Sequence, residues 1–165
     1  MPSARRILFS SLVALALWSA VVMGGQKPPG GALSEALRTH VKSERFDIVT
    51  SIRGLPLGVR DQLQALWDSR TLDIAEPGEN FQGSAAGNPA LPTRRLIAAG
   101  CSADYHCLVY YERGGRSHAW LAVLFHWTPA ATRLEGGGGI PGGLKTIDEV
   151  RNAVLSPTLS QNAPW

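Results

Sequence analysis

Two cysteines, three of the four histidines, all three tyrosines and two of the five tryptophans fall between Leu96 and Trp127. Residues of these types can bind metal, move protons, exchange disulfides or stack on a ligand. Cys101 and Cys107 are separated by Ser-Ala-Asp-Tyr-His, which is not the C-x-x-C spacing of a redox pair. In an exported chain, two cysteines with no third favour a disulfide. At the ends of adjacent strands it would pin a hairpin. Closing so short a loop contributes about 2–2.5 kcal/mol on the chain-entropy account.

The histidines invite two further readings. His106, Cys107, His118 and His126 look like metal ligands on paper. Yet His118 and His126 lie on one expected strand, roughly 26 Å apart at ~3.3 Å per residue, and His106 is expected opposite Val123. A closed zinc site needs four converging ligands, so the spacing predicts no metal and no cofactor. For acid–base work His118 has the best company, with Tyr111 across the strands and Glu112 or Asp104 nearby. Glu112 is expected to point away from Tyr111, and no G-x-S-x-G or H-E-x-x-H motif accompanies them. The run GGIPGGLKT (138–146) nearly spells a phosphate loop, but Leu144 separates Gly143 from Lys145. The required Gly-Lys-Thr is missing, and the glycine tract reads as a flexible connection.

Three antiparallel strands joined by two tight turns would position these groups. Gly114-Gly115 suits a two-residue hairpin turn, since glycine supplies the positive φ that both positions need. That turn pairs Tyr111 with His118, Val109 with Trp120 and Cys107 with Ala122. One face then carries Leu108, Tyr110, Ala119, Leu121, Val123, Phe125 and Trp127 and packs on helices. The other carries Cys107, Val109, Tyr111, His118, Trp120, Leu124 and His126 and is amphipathic. A longer loop that slips the register by one residue would exchange the faces.

The flanks supply helices. Leu33, Leu37 and Val41 predict a helix over 32–41. Phe46 to Ile52 reads as a short strand. Pro56 starts a second helix through Trp67, with Val59, Leu63, Leu66 and Trp67 as its apolar stripe. Leu72 to Ala75 reads as a short edge strand, and Asn80 to Thr93 as a long surface loop. Thr132 to Glu135 adds a final strand. Ile147 to Leu155 closes the fold as a helix, with Thr146 and Glu149 as a capping box and Pro157 as its stop. Helices on both sides of a run of strands predict a single α+β domain over 32–157. Its sheet is mostly antiparallel, with four to five strands and about three helices.

The two ends stand apart from that domain. Arg5 and Arg6 precede Ile7 to Met23, a run without charge, and Gly24-Gly25 follows. This is the layout of a signal peptide over 1–25. The run also reaches the low end of the ~17–25 residues of a membrane span, so an uncleaved N-terminal anchor is the alternative. QKPPGG (26–31) reads as a linker and 158–165 as a flexible tail. The whole chain carries 16 basic and 13 acidic residues, a net +3. Removing the leader takes Arg5 and Arg6 and leaves a domain near neutrality, without the basic footprint of a nucleic-acid binder. Arg94-Arg95 reads as a solvated strand start.

The stretches TLDIAEPGENF, PTRRLIAAG and VYYERGGRSHAW resemble a group of small exported bacterial proteins of unassigned function. The resemblance spans Leu55 to Leu155 and implies export and an α+β domain. It carries no catalytic residue.

These readings converge on a non-catalytic binding or envelope-associated module in the periplasm or outside the cell, touching a membrane only through an uncleaved leader. Its partner would be a protein or a small ligand and not nucleic acid. The candidate surface is the Tyr111, His118 and Trp120 face together with the Asn80 to Thr93 loop. The alternative is a small hydrolytic enzyme with His118 as acid–base.

Overall fold

A computed structural model describes residues 33–157, 159–160 and 165. The expected leader (1–25) and linker (26–31) lie outside the described residues. The chain order is α1 (Glu35–Ser43), β1 (Phe46–Val49), a short 3-10 turn (Ile52–Gly54), α2 (Leu57–Leu66), β2 (Arg94–Ser102), β3 (His106–Arg113), β4 (Ala119–Trp127), β5 (Thr132–Gly139) and α3 (Ile147–Leu155). The five strands pair in sequence order, each antiparallel to the next. This is the α+β domain that the alternation of patterns predicts. Among the described residues, no helix is long and apolar enough to cross a membrane.

Local chemistry sets the helix ends. The Ser34 hydroxyl accepts the Leu37 N–H at 3.2 Å and starts α1. At α3 the Thr146 hydroxyl accepts the Glu149 N–H, and the Glu149 carboxylate accepts the Lys145 and Thr146 N–H groups, as the capping box requires. Those backbone bonds, led by the one from Lys145, hold the Glu149 carboxyl below its ordinary value. The strand expected over 46–52 is shorter, because Ser51 caps the 3-10 turn through the Gly54 N–H.

Both faces of the sheet are buried, so the face expected to be amphipathic is covered by a helix and is core. On one face, Cys107, Val109, Tyr111, Leu121, Val123 and Phe125 pack against Val59, Leu63 and Trp67 of the α2 segment. On the other, Leu108, Tyr110, Ala122 and Leu124 pack against Val41 of α1 and Ile147, Val150 and Val154 of α3.

The β3–β4 register corrects the expected one. Arg113 pairs with Ala119, Tyr111 with Leu121, Val109 with Val123 and Cys107 with Phe125. Gly114-Gly115 belongs to a longer connection, not a two-residue turn. The shift relative to the expected pairing is odd, so it exchanges the faces. Tyr111 lies under Trp67, with ring centroids 5.3 Å apart, while Trp120 lies on the α1/α3 side. His106 pairs with His126 and not with Val123.

The glycine tract is also corrected. Gly136 to Gly139 continue β5 and pair with Leu124 to Leu121 of β4. A Cβ on Gly137 would stand 2.4 Å from the Ala122 carbonyl oxygen, and one on Gly138 would stand 2.2 Å from the Ser160 carbonyl oxygen. Glycine here permits close backbone approach, not a loose connection. Ser160 bridges Gly139, and Trp165 packs on the α2-side core, so the expected tail is anchored at these residues. The edge strand expected over 72–75 reduces to one parallel bridge, Ala75 to Arg95, beside the end of β2 that β1 leaves uncovered.

Candidate functional site

Strand β3 carries two polar clusters on one face, six positions apart at Glu112 and His106, with Leu108 and Tyr110 between them. At ~3.3 Å per residue they stand roughly 20 Å apart.

The first is a surface corner. Arg95 pairs with Glu112 across β2–β3, and Glu112 pairs with Trp120 across β3–β4. The Glu112 carboxylate accepts from Arg95 Nη2 through Oε2 at 2.6 Å, and from His118 Nε2 through Oε1 at 2.6 Å. Its side chain is only 11% exposed, while that of His118 is 37% exposed. The His118 ring meets the Trp120 ring edge-on, with centroids 4.6 Å apart. The Arg95 guanidinium lies 4.5 Å over the Phe81 ring. Two aromatic rings therefore flank an Arg–carboxylate–imidazole chain. The 80–93 loop closes on it. Gln82 N–H donates to the Pro92 carbonyl at 2.8 Å, and Gly114 N–H to the Thr93 carbonyl at 2.9 Å. A Cβ on Gly114 would meet the Gln82 carbonyl oxygen at 1.9 Å, so glycine is needed for loop and turn to touch.

The structure thus keeps His118 and Trp120 of the expected trio together and removes Tyr111. Tyr111 is fully buried on the opposite face, and its hydroxyl accepts from Trp67 Nε1 at 3.1 Å. Burial pushes its hydroxyl up to about 12. Glu112 does point away from Tyr111, as expected, but the register brings His118 to Glu112's side. Arg94, expected in solvent, is buried against Trp67 at 4.5 Å and paired with Asp73 at 3.0 Å. Burial draws its guanidinium below the usual arginine value.

The second cluster is buried. Glu44 follows α1, and its side chain is 1% exposed. Oε1 receives His106 Nδ1 at 2.6 Å and His40 Nε2 at 3.0 Å. Oε2 accepts the Ser102 hydroxyl, whose oxygen in turn accepts the His106 N–H at 3.1 Å. The His126 ring lies 5.3 Å from that of His106. Burial first, then Arg133 and His106, draws the His126 imidazole below its ordinary value. The ligand atoms of His40, Glu44 and His106 all lie within 4.8 Å of one another. The set considered from the sequence does not converge, since Cys107 is bonded to Cys101 and His118 is at the other end of β3.

The sequence reading named Glu112 as a neighbour of His118 but missed Arg95, Glu44 and His40. For the last two a signal was present: His40 and Glu44 are four residues apart across a helix end, on one face. Cys101 and Cys107 pair directly across β2–β3 and form the disulfide, which is compatible with an oxidising compartment. No family model, curated protein or solved structure matches the chain.

Proposed function

We propose that the chain is an exported, non-catalytic binding module whose recognition surface is the Arg95, Glu112, His118 and Trp120 corner with Phe81 of the adjoining loop. The observation that supports this is the Glu112 carboxylate, nearly buried and engaged at both oxygens. It fixes Arg95 and His118 in place between two aromatic rings. Such a surface takes a flat or aliphatic group on its rings and a hydrogen-bond acceptor or acid at Arg95, on a small ligand or a protein. Arg116, exposed in the β3–β4 connection, adds positive charge beside it. Export to the periplasm or beyond, with residues 1–25 as the signal, is part of the same reading. The disulfide and the leader-like layout of residues 1–25 support it.

A second reading has one observation in its favour. A carboxylate 2.6 Å from an imidazole nitrogen can orient a general base. That leaves His118 Nδ1 to act in a small hydrolytic enzyme. Catalysis also needs a concavity that holds substrate. Three surface hollows among the described residues lie at the C-terminal end of α2, beside Glu79 and Pro92, and between α2 and the β4–β5 turn. Neither Glu112 nor His118 lines these three hollows, so the enzyme reading rests on the carboxylate–imidazole contact alone.

A photoreactive side chain at Arg116, in protein expressed in its host, tests the binding reading. The same group at Leu57, exposed on α2, is the control. An adduct from position 116 that Trp120→Ala abolishes, and that position 57 does not form, is the expected result. An adduct insensitive to Trp120→Ala, or none at all, overturns the binding reading. Ester hydrolysis by the wild type that His118→Gln removes would select the enzyme instead.

A further inference from the structure

Glu44 sets a problem that the recognition corner does not. A buried carboxylate needs counter-charge or it costs several kcal/mol to keep ionised. Glu112 has Arg95. Among the described residues, the ion-pair partners of the Glu44 carboxylate are both imidazoles, which carry charge only when protonated. The Arg151 guanidinium donates to the Glu44 backbone carbonyl at 2.6 Å and pairs with Asp148 at 2.8 Å, so it does not serve the carboxylate.

We propose that His40 Nε2, His106 Nδ1 and Glu44 Oε1 form a binding site for a divalent first-row transition cation of the zinc type. Two imidazoles and one carboxylate are the donors such ions take, with further positions left for solvent or ligand. One carboxylate is too few oxygens for calcium, and magnesium favours oxygen donors as well.

The geometry suits the exchange. In a tetrahedral set with bonds of about 2.1 Å, ligand atoms stand about 3.4 Å apart. The carboxylate oxygen is 3.0 Å from the His40 nitrogen and 2.6 Å from the His106 nitrogen, drawn closer than that by N–H···O bonds. A cation replaces those bonds. Each neutral imidazole then carries its proton on the far ring nitrogen, so no proton need leave. His40 is 54% exposed and can swing outward to make room, and it opens the site to solvent. The Ser102 hydroxyl on Oε2 holds the carboxylate with Oε1 toward the imidazoles, as outer partners of metal ligands do. The carbonyl end of α1 points its partial negative charge at the same place. His126 borders the site through its contact with His106, and Arg133 acts on His126 from β5. Both cysteines are tied in the disulfide and offer no competing thiolate.

The test uses untagged full-length protein, stripped with chelator and titrated with zinc chloride by calorimetry. Thermal unfolding is followed in parallel, and cobalt serves as a spectroscopic probe. One equivalent of zinc should bind and raise the melting temperature, while magnesium should not. Loss of an outer partner costs metal sites about 10–100-fold in affinity, and loss of a ligand should cost no less. His40→Ala, at the more exposed of the two imidazoles, should therefore weaken zinc by at least that factor. His118→Ala should leave zinc affinity unchanged, which separates this site from the recognition corner. Absence of binding at millimolar zinc, binding indifferent to His40→Ala, or binding lost in His118→Ala would each overturn the assignment.

Discussion

At either end of one face of β3, a glutamate accepts a 2.6 Å bond from an imidazole. At the Glu112 end the carboxylate also holds an arginine, the imidazole reaches solvent, and aromatic rings stand alongside. At the Glu44 end the carboxylate is sealed, a serine takes the arginine's place, and a second imidazole closes the group. The pair is the same, and the surroundings assign different chemistry. Where a guanidinium already balances the charge, the imidazole is free to meet a partner. Where only imidazoles face the carboxylate, the cluster lacks a permanent cation and can take one.

Mutation of the two glutamates should separate the ends most widely. Glu44→Ala strands the Ser102 hydroxyl and His106 Nδ1 in nearly dry surroundings, so it should destabilise the fold by about 3 kcal/mol. Glu112→Ala leaves Arg95 and His118, both partly exposed, to be solvated. Screening holds its cost to about 1 kcal/mol. Urea unfolding of both variants measures the difference. Equal costs would mean that burial does not distinguish the two pairs.

The same contrast shows what the sequence carried. Strand alternation, the capping box at Thr146 and the apolar stripe of α2 are local patterns, and the three helices and the strands β1 to β4 formed within a few residues of their expected places, whereas the strand expected over 72–75 did not. The disulfide was legible because two cysteines leave one pairing. The register was not, because Gly114-Gly115 suits a two-residue turn by itself. The structure instead spends Gly114 on contact with Gln82, a residue more than thirty positions away. That long-range contact accompanies the longer β3–β4 connection, which puts Tyr111 under Trp67 and His118 beside Glu112. Glycines at 136–139 have the spelling of a loose connection and the packing of a strand, because what excludes a Cβ is Leu33, β4 and Ser160. The Glu44 cluster joins α1 to β2 and β3 over about sixty residues. Spacing along the chain shows only its helical half.

The disulfide offers a second, smaller way to divide the ends. Cys101 and Cys107 sit next to Ser102 and His106, at the Glu44 end of the β2–β3 pair. Replacing both with alanine should cost about 2 kcal/mol on the chain-entropy account. The loosening should be local. Amide exchange at Ser102 and His106 should quicken, and exchange at Glu112 and Arg113 should change little. Equal quickening at both ends would show that the bond stabilises the sheet as a whole and does not single out the Glu44 cluster.

The smallest expected effect concerns His126, at the rim of the Glu44 cluster. Its imidazole is drawn below the ordinary histidine value of about 6.5 by desolvation first, then by Arg133 and His106. The folded state therefore takes up this proton less readily than the unfolded chain. Its contribution to stability is present above the unfolded value and is lost as pH falls through the lowered folded value. The ring is half-buried, and nuclear magnetic resonance titration of its carbon-bound protons is the sharper measurement. Arg133→Gln should raise the midpoint only part of the way, because burial is the larger cause. Full recovery would transfer the shift to Arg133. Because Arg133 also pairs with Glu135 at 2.6 Å, Glu135→Gln should lower the midpoint further by leaving that guanidinium unbalanced. An unchanged midpoint in both variants would leave burial beside His106 as the whole cause and tie His126 to the Glu44 cluster alone.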